Sequence, residues 1–249
     1  MNIVVDIGNS RVKLGYFEGD RLVAASAFPH ADYPQAVLTS KAWRQYSGQS
    51  KYLGMASVGK AEMVKATDIL LAAQPGLRLK VISRETALPI GNRYQTPQTL
   101  GMDRICAAVA GFRRAGKGPV LVVNAGTALT FDYVDAAGDY LGGAISLGLR
   151  SRFRALHDYT AALPLLSHEG ALQWVGDTTE SCMRSGLIHG IVLEIEGFIA
   201  QYQQYTTQPL SVFLTGGDAE FLGNLLKNIT FVDSNLLLHG INTLIGDHA

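Results

Sequence analysis

The residue types able to do chemistry gather at a few turns. Asp6-Ile7-Gly8-Asn9-Ser10 follows the short apolar run Ile3 to Val5 and leads into Arg11, Val12 and Lys13. A glycine at such a turn lets the backbone approach an oxyanion with no Cβ in the way, and successive N–H groups there form an anion-binding concavity. Asn9 and Ser10 add side-chain donors, and Lys13 adds a point positive charge. Asp6, at a strand end, can orient a hydrated Mg²⁺, a hard cation that keeps waters while bridging nucleotide phosphates. A second turn of similar make-up, Asn124-Ala125-Gly126-Thr127-Ala128, follows the apolar Val120 to Val123. The third, Thr215-Gly216-Gly217-Asp218, opens a helix, where backbone donors and the macrodipole suit a phosphate or a nucleotide edge. One such turn is what any hairpin needs. Their recurrence at equivalent places carries the phosphate-binding reading.

Gly101-Met102-Asp103-Arg104 stands at a helix start, after Thr99. An acid in the first helical turn favours the helix dipole whatever else it does. Its chemical reading is as acceptor of the proton from an attacking hydroxyl, with Arg104 gripping an anionic substrate group by paired hydrogen bonds. Phosphoryl transfer draws most of its acceleration from positioning and charge neutralisation, so one carboxylate, cationic donors and Mg²⁺ suffice. Neither common nucleotide frame occurs. Gly116-Lys117-Gly118 lacks the spacing of a P-loop, and no Gly-x-Gly-x-x-Gly fingerprint is present.

The elements that must position these residues follow from periodicity and punctuation. Val12 to Phe17 reads as a second strand, with Gly19-Asp20 turning into a third, Arg21 to Phe28. Next come a helix over Tyr33 to Tyr46, a strand over Lys51 to Ser57, a helix over Lys60 to Ala73 and a strand over Leu79 to Ile82. Asn92 to Gln98 is a polar loop before a helix over Leu100 to Ala115. The pattern then restarts, with strands at Val120 to Val123, Leu129 to Val134 and Tyr140 to Ile145. Helices over Leu147 to Ala162 and Thr179 to Tyr205, a strand over Leu210 to Leu214, and helices over Ala219 to Leu226 and Leu236 to Ile245 complete it. The two openings stand close to half the chain apart. This predicts an α/β protein of two duplicated halves around a cleft, 1–117 and 118–249, with the boundary at Gly116 to Pro119.

Composition sets the class. The 249 residues are 47% hydrophobic and 17% charged, long enough for two ordinary cores. Lys and Arg number 21 against 21 Asp and Glu, which leaves no broad electrostatic footprint for nucleic acid. The chain enters a strand pattern at once, without a signal-peptide pattern, and no apolar run nears the roughly 20 residues that span a bilayer. The expectation is a cytoplasmic protein with no membrane partner. Cys106 and Cys182 lie in apolar helical segments and read as buried reduced thiols, with no His or Cys at zinc-ligand spacing.

The runs Asp6 to Lys13, Gly101 to Arg104, Asn124 to Ala128, Gly142-Gly143-Ala144-Ile145 and Thr215 to Asp218 resemble type III pantothenate kinases in order and spacing, over essentially the whole chain. The resemblance implies two ribonuclease H-like (actin-like ATPase) domains, βββαβαβα-type halves of the fold shared by acetate and sugar kinases and actin. It implies transfer of the ATP γ-phosphate to pantothenate, giving 4′-phosphopantothenate in the first step of coenzyme A biosynthesis. It also implies a homodimer with the active site near the subunit interface. Asp6, Ile7, Gly8, Asn9, Ser10, Arg11, Val12 and Lys13 match the family's first ATP-phosphate loop, and Thr127 a second ATP contact. Gly101, Met102, Asp103 and Arg104 match the pantothenate segment, with Asp103 as proton acceptor. Tyr94 stands the family's distance ahead of Gly101 as a substrate contact. Thr179 matches a substrate-binding threonine, with Thr178 beside it as the competing helix cap.

One residue departs from the pattern. The family usually has Asp at the position of Asn124, where the carboxylate helps bind an activating potassium or ammonium ion. An amide oxygen coordinates such an ion with weaker attraction. Asn124 therefore favours a second reading, a non-catalytic transcription accessory protein on the same fold. Intact Asp6, Lys13, Asp103 and Arg104 oppose it. A third reading, a kinase for another small hydroxylated acid or sugar, is opposed by Tyr94 and the Gly101 to Arg104 segment.

Overall fold

The computed structural model describes residues 1–57 and 61–246. The chain forms two compact units, Met1–Arg114 with Asn235–Ala249, and Ala115–Ser234.

The first unit is built on β1 (Asn2–Ile7), β2 (Arg11–Glu18), β3 (Arg21–Pro29), β4 (Tyr52–Ser57) and β5 (Arg78–Val81). They lie in the order β3-β2-β1-β4-β5. Neighbours are antiparallel from β1 to β3 and parallel from β1 through β4 to β5. Ile3, Val4, Val5 and Ile7 are all fully buried, as befits a central strand covered on both faces. The β2–β3 turn is Gly19-Asp20, with Gly19 at φ +59°, the left-handed conformation that tight hairpins need.

The helix expected over Tyr33 to Tyr46 is broken into α1 (Gln35–Thr39) and α2 (Lys41–Tyr46). Ser40 is extended, and its Oγ accepts from the Trp43 N–H at 3.1 Å. A serine hydroxyl competes with the backbone for its donors, so it caps a new helix instead of continuing the old one. Next are α3 (Ala61–Ala73), the short β6 (Gly91–Asn92) and α4 (Met102–Ala115). The expected start of α3 at Lys60 lies outside the described residues. Tyr33, Val37 and Trp43 pack with Ile3, Val5, Leu14, Leu53 and Leu70 in this unit's core.

The second unit holds β7 (Val120–Ala125), β8 (Ala128–Val134), β9 (Asp139–Leu147), β10 (Ser211–Thr215) and β11 (Phe231–Val232). Their order, β9-β8-β7-β10-β11, and the sense of every pairing repeat the first unit. The expected helix over Leu147 to Ala162 is shorter, α5 (Leu149–Asp158), because Leu147 ends β9 and Gly148 caps the helix. Then come α6 (Thr179–Tyr205), at its expected bounds, and α7 (Ala219–Gly223). Ile188, Ile191, Ile195 and Ile199 form one stripe of α6 that packs with Leu121, Val123, Phe131 and Leu214.

The last helix, α8 (Leu236–Gly246), belongs to the first unit. Gly240 there permits a backbone approach, since a Cβ would stand 1.8 Å from the Cys106 carbonyl oxygen of α4. Among the described residues no helix is long and apolar enough to cross a membrane.

Candidate functional site

The β1–β2 hairpin carries the first cluster. Ile7 and Val12 are its last cross-strand pair, and the Gly8 N–H donates to the Arg11 carbonyl at 3.1 Å to close the turn. Asn9, Ser10 and Arg11 are exposed, whereas the Ile7 and Val12 side chains are buried and leave only backbone at the turn. Asp6 pairs with Lys13 across the ribbon, so their side chains share a face. The His30 ring adds a contact on the turn, with Nε2 3.0 Å from the Gly8 carbonyl oxygen.

Burial pushes the Asp6 carboxyl up to about 7; the Lys13 charge opposes this and the Asp103 charge adds to it. Asp6 nevertheless keeps part of its surface open. A carboxyl so poised ionises readily once a cation stands beside it.

The start of α4 carries the second cluster. The Ile105 N–H donates to the Gly101 carbonyl at 3.4 Å, which puts Met102 and Asp103 in the first turn. Burial raises the Asp103 carboxyl above the usual carboxylate range, while the Arg104 amide and guanidinium and its own amide pull it down. Arg104 is buried, with its guanidinium carbon 5.9 Å from the centroid of the Tyr94 ring. That ring face attracts the cation, and the Tyr94 N–H is tied to Asn92 Oδ1 at 3.0 Å. The structure thus brings Tyr94 and Arg104 into contact, and Asp103 close enough to Asp6 for their charges to interact. Cys106 below them is fully buried, and burial with the two carboxylates pushes its thiol far up, out of nucleophilic range. Cys182, expected buried, is instead exposed, because it lies near the open N-terminal end of α6.

In the second unit three turns meet. The Gly126 N–H donates to the Ala128 carbonyl at 3.0 Å, the counterpart of the Gly8 closure. The carbonyl of exposed Thr127 accepts from the Gly148 N–H at 3.1 Å and from Ser151 Oγ at 2.7 Å. Gly216, at φ +103°, lies on the same turn: a Cβ there would be 2.4 Å from the Ala125 carbonyl oxygen and 2.6 Å from Asn124 Oδ1. The Asp218 N–H donates to that same Ala125 oxygen at 3.0 Å, and buried Asp218 accepts from Arg150 Nε at 3.1 Å. Arg150, Phe153 and Arg154 with the 165–169 segment line a cavity of about 650 Å³, a size common for small-molecule sites. Thr178 is the N-cap of α6, its Oγ1 accepting from the Ser181 N–H at 3.1 Å, and exposed Thr179 is the first helical residue.

Among the described residues, no group of three or more His, Cys, Asp or Glu lies together as a metal cage. A nucleotide-bound Mg²⁺ does not require one, since waters and phosphate oxygens fill most of its octahedron and one carboxylate suffices. Asp6 fits that need. At Asn124 the donor facing the third turn is a neutral amide oxygen. Sequence reasoning missed His30, Ser151 and Arg150. Arg150 carried the only available signal, a cation just inside a helix that follows a glycine.

The description of type III pantothenate kinases matches residues 2–201. A type III pantothenate kinase from Flavobacterium johnsoniae is 38% identical over 242 residues, covering 97% of this chain and 96% of its own. One from Phocaeicola vulgatus is 37% identical over 247 residues, 98% of each chain. Among solved structures, a candidate Baf family transcriptional activator from Campylobacter jejuni aligns with a TM-score of 0.61 at 21% identity, over 99% of this chain and 98% of its own. A candidate N-acetylmannosamine kinase from Listeria monocytogenes aligns at 0.52 and 13% identity, over 100% and 99%. At such identities the two structures share its fold.

Proposed function

This chain belongs to the type III pantothenate kinase family, and we propose on that premise that it phosphorylates pantothenate with ATP, the first step of coenzyme A biosynthesis. Its two sheets, which share the order of five strands, are the ribonuclease H-like halves of the actin-like ATPase fold. That repetition supports a duplication with the first half ending near Gly116 to Pro119.

The observation that carries the residue assignment is the start of α4. There a carboxyl made more basic by burial adjoins a buried guanidinium held against an aromatic ring. A general base works best when its pKa is drawn toward the operating pH. In this reading Asp103 takes the proton of the pantothenate hydroxyl as that oxygen bonds to the γ-phosphorus. The bond from γ-phosphorus to the bridging oxygen breaks, and ADP leaves with the electron pair. Gly101, Met102, Arg104 and Tyr94 hold pantothenate, Arg104 by its carboxylate end, and Thr179 adds a contact. The Asp6 to Lys13 hairpin and Thr127 hold the ATP phosphates. Asp6 would hold Mg²⁺, which would supply charge neutralisation, and Asn124 would offer its amide oxygen to K⁺ or NH₄⁺. The protein acts as a cytoplasmic homodimer.

The test is incubation of the purified protein with ATP, Mg²⁺ and pantothenate, with and without K⁺ or NH₄⁺, followed by mass spectrometry. Phosphopantothenate and ADP in equal amounts are expected. Nucleotide binding without product would make the chain a binding module instead.

A further inference from the structure

We propose that His30 is a positioning residue for the β1–β2 turn, holding the Gly8–Asn9 peptide so that the Asn9 N–H faces the nucleotide phosphates. This rests on the reading of that turn as a phosphate loop. The β2–β3 ladder ends with Arg11 paired to Pro29, so His30 is the first residue past the ribbon and comes alongside the turn. Its Nε2 lies 3.0 Å from the Gly8 oxygen across 22 positions of sequence. A carbonyl only accepts, so Nε2 carries the hydrogen, in the neutral ring and the imidazolium alike.

The geometry of one peptide does the rest. In a trans peptide the C=O and N–H point in opposite directions, so a Gly8 carbonyl turned to His30 sends the Asn9 N–H the other way. Asn9 is exposed, and among the described residues no backbone carbonyl accepts from its N–H. Gly8 has no Cβ to restrict rotation of that peptide. Its own N–H is fixed to Arg11, which anchors one side only. The His30 hydrogen bond anchors the other, and it fixes the donor before the anion arrives.

The test compares His30→Phe and His30→Ala, which lack the donor, with His30→Gln, whose amide nitrogen restores one at similar reach. Steady-state kinetics would vary ATP and pantothenate separately, and ADP affinity would be measured by calorimetry. Loss of one neutral hydrogen bond to the loop is expected to raise the KM for ATP and the Kd for ADP about 3- to 10-fold in both donor-less variants. The KM for pantothenate should move less than about twofold on the same grounds, and His30→Gln should recover most of the loss. Unchanged nucleotide affinity in His30→Phe and His30→Ala, an equal rise in both KM values, or no recovery in His30→Gln would overturn the proposal. If the wild type phosphorylates no pantothenate, the kinase reading fails, while the ADP measurements still decide the role of His30.

Discussion

Replacing Asp6 by Asn should stabilise the nucleotide-free protein at alkaline pH and leave it unchanged at strongly acidic pH. Burial lifts this carboxyl from 3.8 to about 7 in the folded state. Between those values the folded protein binds more protons than the unfolded chain, so stability falls as pH rises and the loss is complete above pH 7. A rise of about three units corresponds to roughly 4 kcal/mol at 1.36 kcal/mol per unit. Water at the open edge of the turn screens part of this, so a gain of about 2–3 kcal/mol is expected for the uncharged isostere at pH 8.5. For a chain of this length that is about 4–12 °C in Tm. At pH 5 folded Asp6 is protonated but the unfolded carboxyl is already ionised, so roughly a third of the effect, about 1 kcal/mol, should remain, and it should vanish only below about pH 3.8. Scanning fluorimetry from pH 5 to 9 reads both values. Mg²⁺ and ATP at about 100 times the Kd should add about 2.7 kcal/mol to the wild type and less to the variant. An equal effect at pH 5 and 8.5, or none at 8.5, would refute the account of Asp6 as a carboxylate strained by burial.

Asp103→Asn keeps the shape but removes the proton acceptor; turnover in a coupled ADP assay should fall about 10²- to 10⁴-fold with ADP affinity by calorimetry nearly unchanged. Gly216→Ala places a Cβ 2.4 Å from the Ala125 oxygen at φ +103°, so thermal unfolding should show a loss of about 2–4 kcal/mol. Asn124→Asp should increase the stimulation of turnover by K⁺ or NH₄⁺ several-fold, read as initial rates across a cation titration against a choline control.

The regular parts of the fold were legible because local signals and tertiary packing agreed. Val120 to Val123 is apolar with three β-branched valines, and it is a buried central strand. Thr179 to Tyr205 has the helical stripe that packing uses. Where they diverged, a single side chain or a distant contact decided. Ser40 cut one helix in two by taking the Trp43 N–H. Phe231–Val232 is a strand too short for periodicity to show, fixed by pairing with β10. The return of α8 to the first unit depends on Gly240 meeting Cys106 more than 130 positions away, and nothing local to either residue records that.

The same limit governs the candidate site. His30 reaches Gly8 only because the β2–β3 ladder slips by one residue between Tyr16 and Phe17. Without that bulge the ribbon would end on Phe28, and side chains would exchange faces. Turn chemistry marked the two hairpins as equivalent, but only the register shows how they differ. Asp6 stands opposite Lys13, whereas the corresponding pair in the second unit is Asn124 and Thr130. At that position the first hairpin holds opposed charges and the second a neutral pair, with buried Asp132 two residues on accepting from the Thr130 and Tyr140 hydroxyls. A carboxylate at position 124 would have no cross-strand cation to balance it, which is the condition for recruiting a monovalent ion from solution. With an amide there the pull on a monovalent cation is weaker, so on the proposed reading this chain should respond less to K⁺ or NH₄⁺ than its Asn124→Asp variant does.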